Sequence, residues 1–253
     1  MSGYSHSQQQ DASLLIARGL DDGIIAINKF GRNPDVDAGT EDIWSQGGTW
    51  VQPTAARVHA IVSTDTNDSS AGTGARTITV NGLNGSYVDT TETITMNGTT
   101  PVNTVNSYWI IHRMIVATGG GTATATGTNI GTITATAAVD ATVSAAIVIG
   151  KGQTQLCIYQ IPAGYTAYLE RYVASFNGGL NANVEVELYV KPFGGTFNLK
   201  GTLVLDQAGA SFAERNYYTP LKFTAKSIIK LRATSDSANS NVVGSFDLIL
   251  IED

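Results

Sequence analysis

The chain has 253 residues, a formal net charge of −6 at pH 7, and charged side chains at only 14% of its positions. Ordinary soluble domains carry about 25% charged residues. A low charge content combined with 27 glycines argues against a helical bundle or a coiled coil. The acidic balance argues against a basic surface for nucleic acid.

Residues 1–53 are expected to form an N-terminal arm with little regular structure. One short helix is predicted within 8–19, where apolar residues follow possible capping residues and Gly19 ends the run. From 31 to 53 neither the strand period nor the helix period persists, and proline and glycine recur. The arm also holds two tryptophans, so we expect it to pack either against a neighbouring subunit or over the chain's own core.

Strand signals dominate from residue 57 onward, as short β-branched runs separated by turn residues. Two runs, 76–82 and 92–98, resemble each other, because threonines alternate with apolar residues and both runs end in Asn-Gly. This alternation is typical of half-buried antiparallel strands, and Asn-Gly favours tight hairpin turns. Further strand candidates are 155–161, 166–176, 184–190, 197–205, 221–223, 228–233 and 243–251.

These signals predict an all-β fold of antiparallel β-sandwich or jelly-roll type, with two β-domains and an irregular N-terminal arm that carries one short helix. The predicted divisions are the arm over 1–53, a Thr/Gly/Ala-rich β-domain over 54–150 and a jelly-roll-like sandwich over 151–253.

The stretch from 119 to 150 contains a single charged residue, Asp140. Strand edges with so little charge are prone to aggregate in a free monomer. We therefore expect neighbouring subunits to cover these edges, or threonine hydroxyls to keep them hydrated.

The sequence contains no recognisable catalytic motif, so no enzymatic activity is expected. The three histidines, His6, His59 and His112, lie far apart, and none adjoins a partnered nucleophile. Cys157 is the only cysteine, which excludes an intrachain disulfide, and its apolar neighbours predict a buried thiol. The polar N-terminus shows no secretory signal, and no apolar stretch is long enough to cross a bilayer.

An acidic turn at 33–42 is a weak candidate for a hard cation such as Ca²⁺, through Asp35, Asp37, Glu41 and Asp42. Its spacing does not match an EF-hand loop. The competing interpretation is a solvated turn whose carboxylates accept backbone N–H bonds. No cofactor is predicted.

Aromatic side chains provide the candidate interaction sites. Such rings can stack on sugars, although cores and subunit interfaces use the same residues. The interface candidates are Trp44, Trp50, Trp109, Tyr217 and Tyr218.

One run of sequence, Gly-Arg-Asn-Pro-Asp-Val-Asp-Ala-Gly-Thr-Glu-Asp-Ile-Trp at 31–44, is followed by Gly-Gly-Thr-Trp at 47–50. Together with the downstream segments 53–63, 74–77 and 106–113, it resembles virion structural proteins of tailed bacteriophages, marine ones especially. The resemblance extends over about residues 24–175, and the final seventy residues look like a generic virion β-sandwich.

The resemblance implies a non-enzymatic component of the virion, made in the cytoplasm of a host bacterium. We expect a capsid decoration or cement protein that forms a homo-oligomer, with a trimer favoured, and that contacts major capsid or tail proteins. The alternative is a tail-associated or head-fibre adhesin that binds host-surface carbohydrate. Nucleic acid and membranes are not expected partners.

Overall fold

A computed structural model describes residues 12–121, 128–178 and 182–253. Within these residues the chain has one short helix and sixteen strands, and the paired strands run antiparallel, which confirms the predicted all-β antiparallel class. The elements are α1 (Ala12–Ala17), β1 (Ile24–Val36), β2 (Glu41–Asp42), β3 (His59–Ser63), β4 (Ala75–Asn84), β5 (Asp89–Thr95), β6 (Val102–Asn103), β7 (Tyr108–Gly119), β8 (Ile133–Ala137), β9 (Val143–Ile147), β10 (Ile158–Gln160), β11 (Tyr165–Asn177), β12 (Asn183–Lys191), β13 (Asn198–Asp206), β14 (Phe212–Phe223), β15 (Ile228–Ser235) and β16 (Ser240–Glu252).

Two sheets, which we call sheets I and II, form the terminal unit. Sheet I has the strand order β1-β16-β11-β14, and sheet II has the order β10-β15-β12-β13, with β2 also paired to β15. Alternating apolar residues of both sheets meet in one core, so the sheets face each other. Typical members of this core are Leu169, Tyr172 and Phe246 from sheet I and Leu188 and Leu231 from sheet II.

Strands β3 to β9 form the inserted unit, which lies between β2 and β10 in the chain. Its sheet III has the order β6-β3-β8-β9 and its sheet IV the order β5-β4-β7. These two sheets share a separate core that includes Ile61, Ile78, Ile111 and Ile133. Residues 122–127, in the low-charge stretch, lie outside the described residues.

The chain leaves the terminal unit and returns to it through two adjacent segments, which we call the stem. Cys157 donates its backbone N–H to the carbonyl of Ile43 at 3.0 Å, and Ser45 donates to Gln155 at 3.1 Å. Ile43 also donates to the carbonyl of Leu231 in β15 at 3.0 Å. The two ends of the insertion are therefore held side by side, which is the arrangement that a domain insertion requires.

A buried ion pair lies beside the stem. The Asp42 carboxylate is fully buried, and Lys230 Nζ lies 2.8 Å from its Oδ1 and donates to its Oδ2 at 3.0 Å. Oδ2 also accepts the backbone N–H of Trp50 at 2.7 Å. Burial lowers the pKa of Lys230, and the negative charge of Asp42 opposes that shift, so the Lys230 ammonium depends on Asp42 to keep its charge.

The prediction of irregular structure over 31–53 is wrong in its first part, because β1 continues to Val36 and pairs with β16. Gly31 is required there by a close approach, since a Cβ would lie 2.3 Å from the carbonyl oxygen of Ile43. Pro34 falls where the β1–β16 register shifts, at a position where a strand tolerates proline. Gly31 and Pro34 are therefore compatible with a strand, because Gly31 allows close packing and Pro34 lies at a bulge.

The Asn-Gly prediction is also wrong at one of its two positions. Asn81-Gly82 lies inside β4, at a register shift against β7, and a Cβ on Gly82 would lie 2.1 Å from the Ile110 carbonyl oxygen. The turn that joins β4 to β5 occurs later, at 85–88. Gly98 does adopt a positive φ of 60°, as a turn glycine should.

We expect Asp42→Asn to lower the free energy of unfolding by about 3 kcal/mol, because it leaves the Lys230 ammonium buried without a counter-ion. The double variant Asp42→Asn/Lys230→Met should regain part of the lost stability. Urea denaturation of the single and double variants measures their free energies of unfolding. The control is Asp247→Asn, which breaks the exposed pair with Arg171 and should cost less than about 1 kcal/mol. Equal losses for Asp42→Asn and Asp247→Asn would show that the buried pair does not anchor the fold.

Candidate functional site

The carboxylates of the acidic turn do not converge on one point. Asp42 pairs with Lys230, Asp37 and Glu41 accept backbone N–H bonds, and Asp35 is exposed. In the part of the chain that the structure describes, no three His, Cys, Asp or Glu side chains lie close enough to hold a metal ion. The geometry therefore gives no support to this weak calcium candidate.

Trp44 and Trp50 lie in the interior of their own chain, with exposed fractions of 5% and 4%. Their indole N–H groups donate to the carbonyls of Gly48 at 3.2 Å and Ser144 at 3.0 Å. Both rings belong to a third apolar cluster that joins the two units. Of the two alternatives for the arm, this burial agrees with packing over the chain's own core and leaves neither ring exposed to anchor a neighbouring subunit.

The contact with Ser144 also bears on the low-charge edge, because β9 is an outer strand of sheet III. Because Trp50 donates its indole N–H to the Ser144 carbonyl, part of this edge is covered by the same chain. Covering an edge in this way protects it from pairing with other chains.

The two tyrosines of β14 differ in their surroundings. The Tyr217 ring is partly buried and stacks on Tyr172 with 6.3 Å between ring centroids. Tyr218 is fully exposed, and Phe212 on the same strand is 57% exposed. Of the two predicted interface candidates on this strand, only Tyr218 projects into solvent.

His59 and Ser144 form a hydrogen-bonded pair that resembles a nucleophile with its base. His59 Nε2 lies 2.8 Å from Ser144 Oγ, and Nδ1 lies 2.9 Å from the Arg57 carbonyl oxygen. Both side chains are fully buried, so no substrate can contact them here. Burial lowers the pKa of His59 to about 4, which keeps the ring neutral and its hydrogen bonds in place.

A cleft of about 310 Å³, which we call the aromatic cleft, lies between the two units. Its walls come from the β4–β5 turn, from β7, from the β12–β13 connection and from the β14–β15 connection. The lining side chains that matter below are Tyr87, Trp109, Phe193, Gln160, Lys191 and Lys226.

Local sequence fixes the two loops of the cleft. Asn84 Oδ1 accepts the backbone N–H groups of Ser86 at 2.9 Å and Val88 at 3.2 Å, which closes the turn that presents Tyr87. In the β12–β13 connection, the positive φ of Gly194 allows the tight turn that leaves Phe193 59% exposed.

The three rings form a continuous platform. Tyr87 and Trp109 stack with 5.5 Å between centroids and 11° between planes. Phe193 meets Tyr87 edge to face, at 5.6 Å and 83°. These are favourable aromatic geometries, and Phe193 remains 59% exposed while Tyr87 and Trp109 are partly exposed.

Lys226 is fixed over this platform. Its Nζ lies 4.9 Å from the ring centroids of both Tyr87 and Phe193, within the range of cation–π attraction. Lys226 and Tyr87 also have positive φ values, 66° and 62°. Non-glycine residues in that region are uncommon and cluster at functional sites. The backbone bonds from Lys226 to Ile161 and from Ala163 to Tyr87 hold both strained residues in place.

Sequence reasoning identified Trp109 as a candidate but missed Tyr87, Phe193 and Lys226. Together with Trp109, these residues come from four separate segments of the chain, and no local pattern connects them. The Gly-Gly after Phe193 marked a turn, but it gave no sign that the turn faces Trp109.

No protein-family model and no curated protein sequence matches this chain. Among solved structures, the VP2 subviral particle of infectious bursal disease virus is 10% identical, with a TM-score of 0.23 over 92% of this chain and 74% of that one. The Gx strain of the same virus is 8% identical, with a TM-score of 0.15 over 92% and 82%. TM-scores this low carry no argument about fold or function.

None of the described helices has the length and apolar character needed to span a membrane.

We expect acid to destabilise the protein through His59. The pKa of this ring is about 4 when folded, below its ordinary value of 6.5, so the unfolded chain takes up the proton first. The stability that His59 contributes should therefore fall as pH drops below 6.5 and level off near 4, by a total of about 3 kcal/mol, and the buried ring of His112, whose pKa is also lowered by burial, should add a further loss.

Urea denaturation at pH 7, 5.5 and 4.5 measures this effect, with His59→Gln as the comparison. The variant should be less stable at pH 7 but should lose less stability on acidification. A profile as steep in the variant as in the wild type would contradict the assignment to His59.

Proposed function

We propose that this protein is a non-enzymatic structural component of a virion and that its terminal unit is a jelly roll. The single observation that carries the proposal is the strand order of sheets I and II. Eight strands, β1 and β10 to β16, fill two facing sheets, and successive strands alternate between the sheets except for β12 and β13. This winding is typical of a double-sheet jelly roll, an architecture found in viral capsid proteins, lectins and cupins.

The sequence resemblance to tailed-phage virion proteins favours the virion among these uses. Within it we propose a capsid decoration or cement protein on the particle surface. It would assemble as a homo-oligomer, with a trimer as the favoured state, and contact the major capsid protein. Exposed apolar side chains on β13 and β14 support an assembling surface, namely Val204, Phe212 and Tyr218.

Location on the particle tests the proposal. Immunogold labelling of purified virions with an antibody to this chain should place label around the whole capsid. Quantitative mass spectrometry of the same particles should give a copy number comparable to that of the capsid lattice. Label confined to the tail, or absence of the chain from purified particles, would contradict the capsid assignment.

Assembly has its own test. We expect the wild-type chain to sediment as an oligomer at micromolar concentration, and Tyr218→Lys to shift it towards monomer, because a charge at a buried contact is costly. Lys222→Gln, on the same strand, is the matched control and should leave the sedimentation coefficient unchanged. A wild type that sediments as a stable monomer would contradict the proposal of self-assembly.

The aromatic cleft favours a second function, recognition of host-surface carbohydrate by a tail-associated or head-fibre adhesin. An open ring platform offers the apolar faces of sugars a surface to stack on. This function is compatible with a structural role, because a surface protein of a particle can also contact the host.

A further inference from the structure

We propose that the aromatic cleft binds an anionic saccharide, a sugar that carries a carboxylate or sulfate group. The inference rests on the carbohydrate-binding function proposed above and names its ligand class. Three features of the cleft carry it: the charge of its lining, the arrangement of its rings and the strain of its backbone.

The lining of the cleft is positive although the chain as a whole is negative. Among the described residues, Lys191 and Lys226 line it and no Asp or Glu does, whereas the whole chain has a formal net charge of −6. Within the described ranges, neither lysine forms an ion pair. A ligand with a negative group would supply the missing counter-charge, and a hydrogen bond to a charged group is stronger than one between neutral groups.

The rings favour a saccharide over a simple anion. A phosphate or sulfate ion alone would leave the exposed ring surface of Trp109 and Phe193 in water. A sugar ring presents an apolar C–H face that covers such surface, while its substituents reach the lysines. A cleft of about 310 Å³ lies at the lower end of ordinary ligand sites, roughly 300–1,000 Å³, which suits a short oligosaccharide segment.

The polar groups of the cleft are already ordered. Gln160 is 3% exposed, and its Nε2 donates to the Lys226 carbonyl at 3.0 Å while its Oε1 accepts from Gln52 at 3.3 Å. The bond from Gln160 helps to hold the strained backbone of Lys226 in place. A site whose charged group is held in place in advance loses less conformational entropy when the ligand binds.

Isothermal titration calorimetry of the full-length protein tests the inference with three probes: digalacturonic acid, a sulfated galactobiose and uncharged galactobiose. Either anionic probe should bind at least tenfold more tightly than the neutral one, and its affinity should fall as salt is raised. Lys226→Gln should remove most of that difference. Phe193→Ala should weaken binding of all three probes about tenfold.

Two matched controls separate the cleft from general surface effects. Lys200→Gln removes an exposed lysine of β13, and Leu20→Ala removes an apolar side chain that follows α1 and is about as exposed as Phe193. Neither residue lines the cleft, and neither variant should change the affinities. Thermal unfolding of each variant confirms that it is folded.

Three outcomes would overturn the inference. Failure of all three probes to bind would contradict carbohydrate binding by the cleft. The virion proposal would still be decided by the location of the chain on particles. Equal binding of neutral and anionic probes, unaffected by Lys226→Gln, would remove the anionic class and leave carbohydrate binding standing. Binding of an acidic peptide such as tetraglutamate in place of the sugars, with loss in Phe193→Ala, would identify a protein partner instead.

Discussion

The ion pair between Asp42 and Lys230 is the interaction on which the rest of the structure depends. It lies where the chain leaves the terminal unit, and removal of either partner would leave a buried charge. Next to it, the stem hydrogen bonds fix the exit and return of the insertion against β15. The inserted unit can therefore occupy more than a hundred residues of sequence without separating β1 from the sheet it completes.

The aromatic cleft is a consequence of that attachment. Tyr87 and Trp109 belong to the inserted unit, whereas Phe193 and Lys226 belong to the terminal unit. Their mutual distances are set by the apolar cluster beneath them, in which Trp50 packs with Ile110 and Ile228. A displacement of one unit against the other would separate the stacked rings from the lysine. The geometry of the aromatic cleft therefore depends on how the two units are attached.

Local patterns were sufficient for some elements and not for others. The alternation of threonine with apolar residues predicted β4 and β5, because the period of two residues that is typical of a strand is visible in consecutive residues. The same approach misjudged β1, since Gly31 and Pro34 act through contacts with distant segments. Most of β14 was missed because its residues are largely exposed and do not alternate. The cleft could not be predicted, because its members meet only in the folded chain.

Native-state hydrogen exchange, read residue by residue, tests most directly whether the N-terminal segment is part of the core. We expect the hydrogen-bonded amides of β1 to exchange only through the same global opening as those of β11 and β16, with the same dependence on urea. If β1 amides exchanged through a low-energy local opening while β11 and β16 stayed protected, the segment would be a detachable arm and the account of the fold would be wrong.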